Sequence, residues 1–133
     1  MSYRYVFDET GRLFLLRLGG RIGPQDLADL FAALAADPAR TPDQHVYCDL
    51  SGLESADLNF TQVMSVTRAR AAFYQQSRDI RVAVWAPGDI GFGMARMYLA
   101  MMQGFKGVAA EVFRDRAAAA RFLGVEQAQL QIP

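Results

Sequence analysis

Three carboxylates, Asp49, Glu54 and Asp57, crowd into one short segment behind the apolar run Val46-Tyr47-Cys48. If that run is a strand, they gather near its carboxyl end, where open α/β sheets bind their ligands. Paired carboxylates there could perform general acid–base chemistry or hold magnesium. We adopt the plainer assignment, in which Asp57 caps a helix, Asp49 bonds turn amides and Glu54 is solvated. No nucleophile–base pair stands beside them, because the sole histidine, His45, lies at the other end of the same run. Ser51 and Ser55 lack a Gly-x-Ser-x-Gly elbow and read as turn residues. Cys48 lies among apolar neighbours, where a thiol is usually inert. His45 and Cys48 together supply too few ligands for a metal site. Gly88, Gly91 and Gly93 could cradle an anion at a helix start, yet their spacing fits neither a P-loop nor a dinucleotide fingerprint. Close packing and a tight turn account for them. No catalytic residue, metal or cofactor is expected.

The composition points the same way. The chain has 133 residues, 52% hydrophobic and 21% charged, enough for a core without disulfides or metal. Fourteen basic and fourteen acidic residues cancel. A neutral chain lacks the positive excess that drives phosphate binding, so nucleic acid is not an expected partner. A single cysteine forms no internal disulfide, which fits a reducing cytoplasm. Met1-Ser2-Tyr3-Arg4-Tyr5 carries no apolar signal core, and no run reaches the roughly 20 apolar residues of a membrane span. The expectation is a soluble cytoplasmic protein, with one domain over residues 1–125 and a loosely held tail over 126–133.

The pattern supplies the elements that position these residues. Tyr3–Phe7 and Leu13–Leu18 read as a hairpin around Asp8-Glu9-Thr10-Gly11-Arg12, with Gly19-Gly20 breaking the second strand. Gly23-Pro24 opens a helix whose Leu27, Leu30, Phe31 and Leu34 make one apolar stripe, ended by Asp37-Pro38. Val46–Leu50 is a third strand that turns through Ser51-Gly52. A second helix covers Asn59 to Ser77, with Asn59 and Gln62 spaced as a capping box and Phe60, Val63, Met64, Thr67, Ala71 and Tyr74 facing inward. Ile80–Trp85 is a fourth strand, Ile90–Phe105 a third helix capped by Asp89, and Val108–Phe113 a fifth strand. Asp115 caps a short alanine-rich helix that stops at Gly124. Strands joined through helices run parallel with right-handed crossovers, and the hairpin adds an antiparallel edge. The expected fold is α/β, a mixed, mostly parallel five-stranded sheet.

Asp49-Leu50-Ser51-Gly52-Leu53-Glu54-Ser55-Ala56-Asp57 resembles the Asp-Leu-Ser-Gly segment of STAS domains, the sulfate-transporter and anti-sigma-factor-antagonist group. The hairpin start, the element order and the short last helix agree over Tyr3 to Val125. Val82-Ala83-Val84-Trp85-Ala86-Pro87, Gly91-Phe92-Gly93-Met94-Ala95-Arg96-Met97-Tyr98 and Val112-Phe113-Arg114-Asp115 resemble the divergent SpoIIAA-like, or STAS/SEC14-like, branch. The resemblance implies a non-enzymatic module that regulates through protein contacts. Its SEC14-like side implies a carrier or sensor of a lipid or fatty acid. In anti-sigma-factor antagonists the residue after the matching aspartate is a phosphorylated serine. Here Leu58 follows Asp57, then Asn59 and Phe60, so that switch is missing.

The binding surface expected from these patterns lies on the two long helices. In the third helix Met94, Met97, Tyr98, Met101, Met102 and Phe105 fill a broad apolar arc, and Gly93, Ala100 and Gly104 form a stripe of small residues. Methionine suits adaptable surfaces and lipid pockets. In the second helix Val66, Ala69 and Phe73 lie off the inner face, flanked by Arg68, Arg70 and Arg78, which read as solvated. The candidate contact residues are Asp57, Leu58, Asn59, Gln62, Val66, Phe73, Phe92, Gly93, Met97 and Met101. They would serve a homodimer or protein partner, or wall a small apolar ligand. A hydrolase using the carboxylates behind the third strand is the third possibility.

Overall fold

A computed structural model describes residues 1–133. Its elements are β1 (Ser2–Phe7), β2 (Leu13–Ile22), α1 (Pro24–Ala36), β3 (His45–Ala56), α2 (Phe60–Tyr74), β4 (Ile80–Trp85), α3 (Asp89–Met102), β5 (Val108–Phe113) and α4 (Arg116–Leu123). A short 3-10 turn, Gln127–Leu130, follows. The strands lie in the order β1-β2-β3-β4-β5; β1 pairs antiparallel with β2 and every other pair is parallel. The α/β sheet expected from the pattern is therefore present.

Helix boundaries follow local chemistry. Asn59 Oδ1 accepts from the Gln62 amide at 2.8 Å and Gln62 Oε1 from the Asn59 amide at 2.9 Å, so the capping box forms and α2 starts at Phe60. Asp26 accepts from the Gly23 amide at 2.8 Å, and Asp115 from the Ala117 amide at 3.0 Å. Gly88 rather than Asp89 occupies the cap position of α3; Asp89 is its first residue and pairs with Arg114 at 2.8 Å.

Two glycine-containing dipeptides, one read as a strand break and one as a turn, are strand interior. β2 continues through Gly19-Gly20 to Ile22, and β3 through Ser51-Gly52 to Ala56. Gly19 and Gly52 are register partners where the ladder shifts. A Cβ on Gly19 would stand 3.4 Å from the Gly52 carbonyl, so the pair permits a close backbone crossing and does not end it.

Alternation along the strands sorts side chains to two layers. Phe14, Leu16, Leu18, Val46, Leu50, Val82 and Val84 face α1, α2 and α3. Leu13, Leu15, Tyr47 and Ala83 face α4 and the C-terminal residues. The expectation of a loose tail fails here: Leu130 and Ile132 are buried against this second layer. Apolar side chains at two-residue spacing can dock on a sheet face even in a polar segment. No helix is long and apolar enough to cross a membrane.

Candidate functional site

Strand order explains where space is left inside. Neighbouring parallel strands joined by right-handed crossovers put all their connecting helices on one face. Strands lie about 4.8 Å apart, whereas packed helices need about 8–10 Å. Three successive helices cannot lie side by side on successive strands. α3 settles against β3 and β5, and α2 packs chiefly on α3 and α1 rather than on a strand.

Beneath α2 lies a cavity of about 110 Å³ bounded by the sheet, α1 and α3. Twenty of its 22 lining residues are hydrophobic, the hydroxyl-bearing Tyr74 and Tyr98 among them, and the two exceptions are Arg40 and Arg70. Leu18, Leu27, Leu50, Leu58 and Met94 wall one end; Phe14, Leu34 and Tyr74 stand with the arginines at the other.

The arginines are the second anomaly. Each is 6% exposed. Arg40 Nη1 donates to the Thr41 carbonyl at 2.6 Å and to Gln44 Oε1 at 2.9 Å, and Nη2 donates to the Tyr74 hydroxyl at 3.2 Å. Nε of Arg40 and Nε of Arg70 have no partner. Neither arginine meets a carboxylate, since the ion pairs of the chain are Arg17–Asp49 and Arg114–Asp89. Aromatic faces substitute in part. Arg40 Cζ lies 4.6 Å from the Phe14 centroid, and Arg70 Cζ lies 4.8 Å from Phe31 and 5.6 Å from Tyr74. Such contacts contribute up to about 2 kcal/mol when desolvated, against several kcal/mol for burying an uncompensated ion. Burial, and then the charge of Arg70, hold Arg40 below the usual arginine range despite support from Tyr74.

Arg70 corrects its assignment as a solvated flank. Val63, Thr67, Arg70 and Tyr74 are the buried residues of α2, and they recur at helical spacing. Phe60, expected inside, is 59% exposed, and Ala71 also faces solvent. The inner stripe is rotated from the one assigned because Arg70, read as polar, was left out of it.

The expected contact residues disperse. Leu58 and Val66 line the cavity. Phe73 is half-buried against the core and touches both arginines. Met97 and Met101 are half-buried, with Met101 Sδ accepting from Thr67 Oγ1 at 3.7 Å between α2 and α3. Phe92 is half-buried beneath Arg114, whose Cζ lies 4.3 Å from its ring. Asp57, Asn59 and Gly93 are exposed, and Gln62 is half-buried in its capping box.

The carboxylates do not assemble a centre. Asp49 accepts from the Ser51 amide at 2.8 Å, as expected, and from Arg17 Nε at 3.3 Å. Glu54 and Asp57 are exposed, and no group of three potential metal ligands forms. Desolvation pushes the Cys48 thiol up to about 12, with nearby Asp49 adding to it, so Cys48 is protonated and inert at neutral pH. Gly91 is buried, and a Cβ there would meet Leu50 and Leu53 at 3.4 and 3.5 Å, in keeping with close packing.

Neither a family model nor a curated protein matches this sequence. Among solved structures the chain is similar to an uncharacterized protein of the DUF3478 family, with a SpoIIAA-like fold, from Shewanella loihica PV-4. That similarity spans 92% of this chain and 94% of the other at 17% identity, with a TM-score of 0.56. Topology and comparison agree that the fold of this chain is SpoIIAA-like.

Proposed function

We propose that this chain is a binding module rather than a catalyst, and that it holds a small molecule, largely apolar, between the sheet and α2. The cavity of about 110 Å³ carries this reading. A dry cavity of about 150 Å³ accepts benzene, so the resting space takes a few carbon atoms. Ligand sites of ordinary size begin near 300 Å³. A longer molecule would require α2, which packs on helices, to move outward, and the pliable Met94 and Met102 side chains of the wall suit that adjustment.

Organic extraction of freshly purified protein, followed by mass spectrometry, tests the reading beside thermal-shift titration with linear alcohols of six to twelve carbons. An extracted amphiphile or a rise in melting temperature with chain length supports it. No extract together with no shift for any alcohol overturns it.

A second reading rests on a different observation. Phe60 and Ile90, 59% and 51% exposed, begin α2 and α3 at the carboxyl edge of the parallel strands, beside Asp57 and Asn59. Large apolar side chains exposed at one edge of the sheet suit a protein contact, with a second copy as the simplest partner. Native mass spectrometry of the wild type and of Phe60→Ser with Ile90→Ser decides it. A dimer lost in the double variant supports this reading, and a monomeric wild type removes the homodimer.

A further inference from the structure

The two arginines give the cavity a direction. Phe14, Val46 and Val82 are register neighbours at the amino edge of the parallel strands. Arg40 stacks on Phe14 and donates to Tyr74, the last residue of α2, so both cations belong to this end. At the opposite end Leu18, Leu50 and Leu58 are apolar, Leu58 lying just before α2 begins. One cavity thus has a cationic pole and an apolar pole, arranged along the strand direction.

The poles differ in what they lack. The apolar one needs only atoms to fill it. The cationic one needs negative charge, since two guanidinium groups, each more than nine-tenths buried, line it with no carboxylate partner and each has an unbonded Nε. Resting on the cavity reading above, we propose that Arg40 and Arg70 are the head-group site for the anion of an amphipathic molecule, specifically a carboxylate on an apolar chain. Arg40 already commits three of its five N–H donors to Thr41, Gln44 and Tyr74, which leaves its Nε and one proton of Nη2. That Nε and the guanidinium of Arg70 suit the two oxygens of a carboxylate better than the three of a phosphate. The aromatic faces of Phe14, Phe31 and Phe73 hold the planar cations in place before ligand arrives.

Calorimetric titration of the full chain with decanoate, decanol, decylammonium and decyl phosphate tests the site. Decanoate binds roughly tenfold or more tightly than decanol, the scale of one charge-assisted contact, and decylammonium binds more weakly than decanol. Arg70→Met equalises decanoate and decanol, and Arg40→Met does the same where it folds. Arg70→Met is the deciding variant, because Arg40 also ties down its own loop. Equal affinity for decanoate and decanol in the wild type, or an unchanged preference in Arg70→Met, overturns the head-group site and leaves the cavity reading intact. Tighter binding of decyl phosphate than decanoate overturns the carboxylate assignment. Failure of every decyl probe to bind overturns the site and the cavity reading together.

Discussion

Arg40 and Arg70 reach the same aromatic ring: their Cζ atoms stand 4.6 and 4.5 Å from the centroid of Phe73. Two like charges share one quadrupole in a buried setting, and Arg70 lowers the proton affinity of Arg40. Without ligand this pairing opposes folding more than it helps. Arg70→Met removes one uncompensated cation and keeps a side chain able to fill the space. Its free energy of unfolding in urea should match the wild type within about 1 kcal/mol or exceed it. Phe73→Ala leaves both cations without the shared ring, removes an edge contact with Tyr74 at 5.1 Å, and should lose about 2–3 kcal/mol. A larger loss for Arg70→Met than for Phe73→Ala would mark the stack as purely structural.

The sheet was legible where strands are short and bounded. β4 and β5 fall where Ile80–Trp85 and Val108–Phe113 were expected, because branched and aromatic runs end at Pro87 and Arg114-Asp115. It was misread where glycine occurs inside a long strand, since a crossing that needs a missing Cβ looks, in one dimension, like a turn. The cavity was less legible. The spacing Val63, Thr67, Arg70, Tyr74 names the inner face of α2, but a guanidinium is normally assigned to water and the stripe was shifted to suit. Arg40 lies in a loop without periodicity, so nothing in the sequence announces its burial.

Gly107 has φ +78°, and a Cβ there would lie 2.0 Å from the Ser77 carbonyl oxygen. The Gly107 carbonyl also accepts from the Ile80 amide at 2.8 Å, so the segment before β5 is pinned to the start of β4. Gly107→Ala must shift backbone against backbone as well as adopt a left-handed conformation. A loss of about 2 kcal/mol or more in chemical denaturation is expected, and a loss under about 0.5 kcal/mol would contradict this account.

Leu130 is 1% exposed and belongs with Leu13, Leu15 and Tyr47 in the second layer. The tail contributes core as well as chain length, and Arg4 ties its end by donating to the Pro133 carbonyl. Leu130→Ala should cost about 2–4 kcal/mol in urea unfolding. Removal of residues 127–133 should cost more, because Ile132 leaves with Leu130. If either change left the midpoint unmoved, the tail would not be docked in solution.

His45 is the only histidine, so its ring protons report one titration without overlap. Burial is the chief cause that lowers its pKa, and the charges of Arg81 and Arg12 add to it. The Arg81 amide donates to His45 Nδ1 at 3.0 Å, a bond that requires that nitrogen to be unprotonated. The NMR midpoint in the folded protein should therefore lie below that of the unfolded chain, about 6.5. With the folded value depressed, the unfolded chain binds more protons as acid is added. The stabilising contribution is complete above the unfolded pKa, and it is lost as pH falls through the folded one. His45→Gln should flatten the fall in stability between about pH 7 and pH 5, while the wild type keeps it. A folded midpoint at or above the unfolded one would show that the Arg81–His45 bond does not persist in solution.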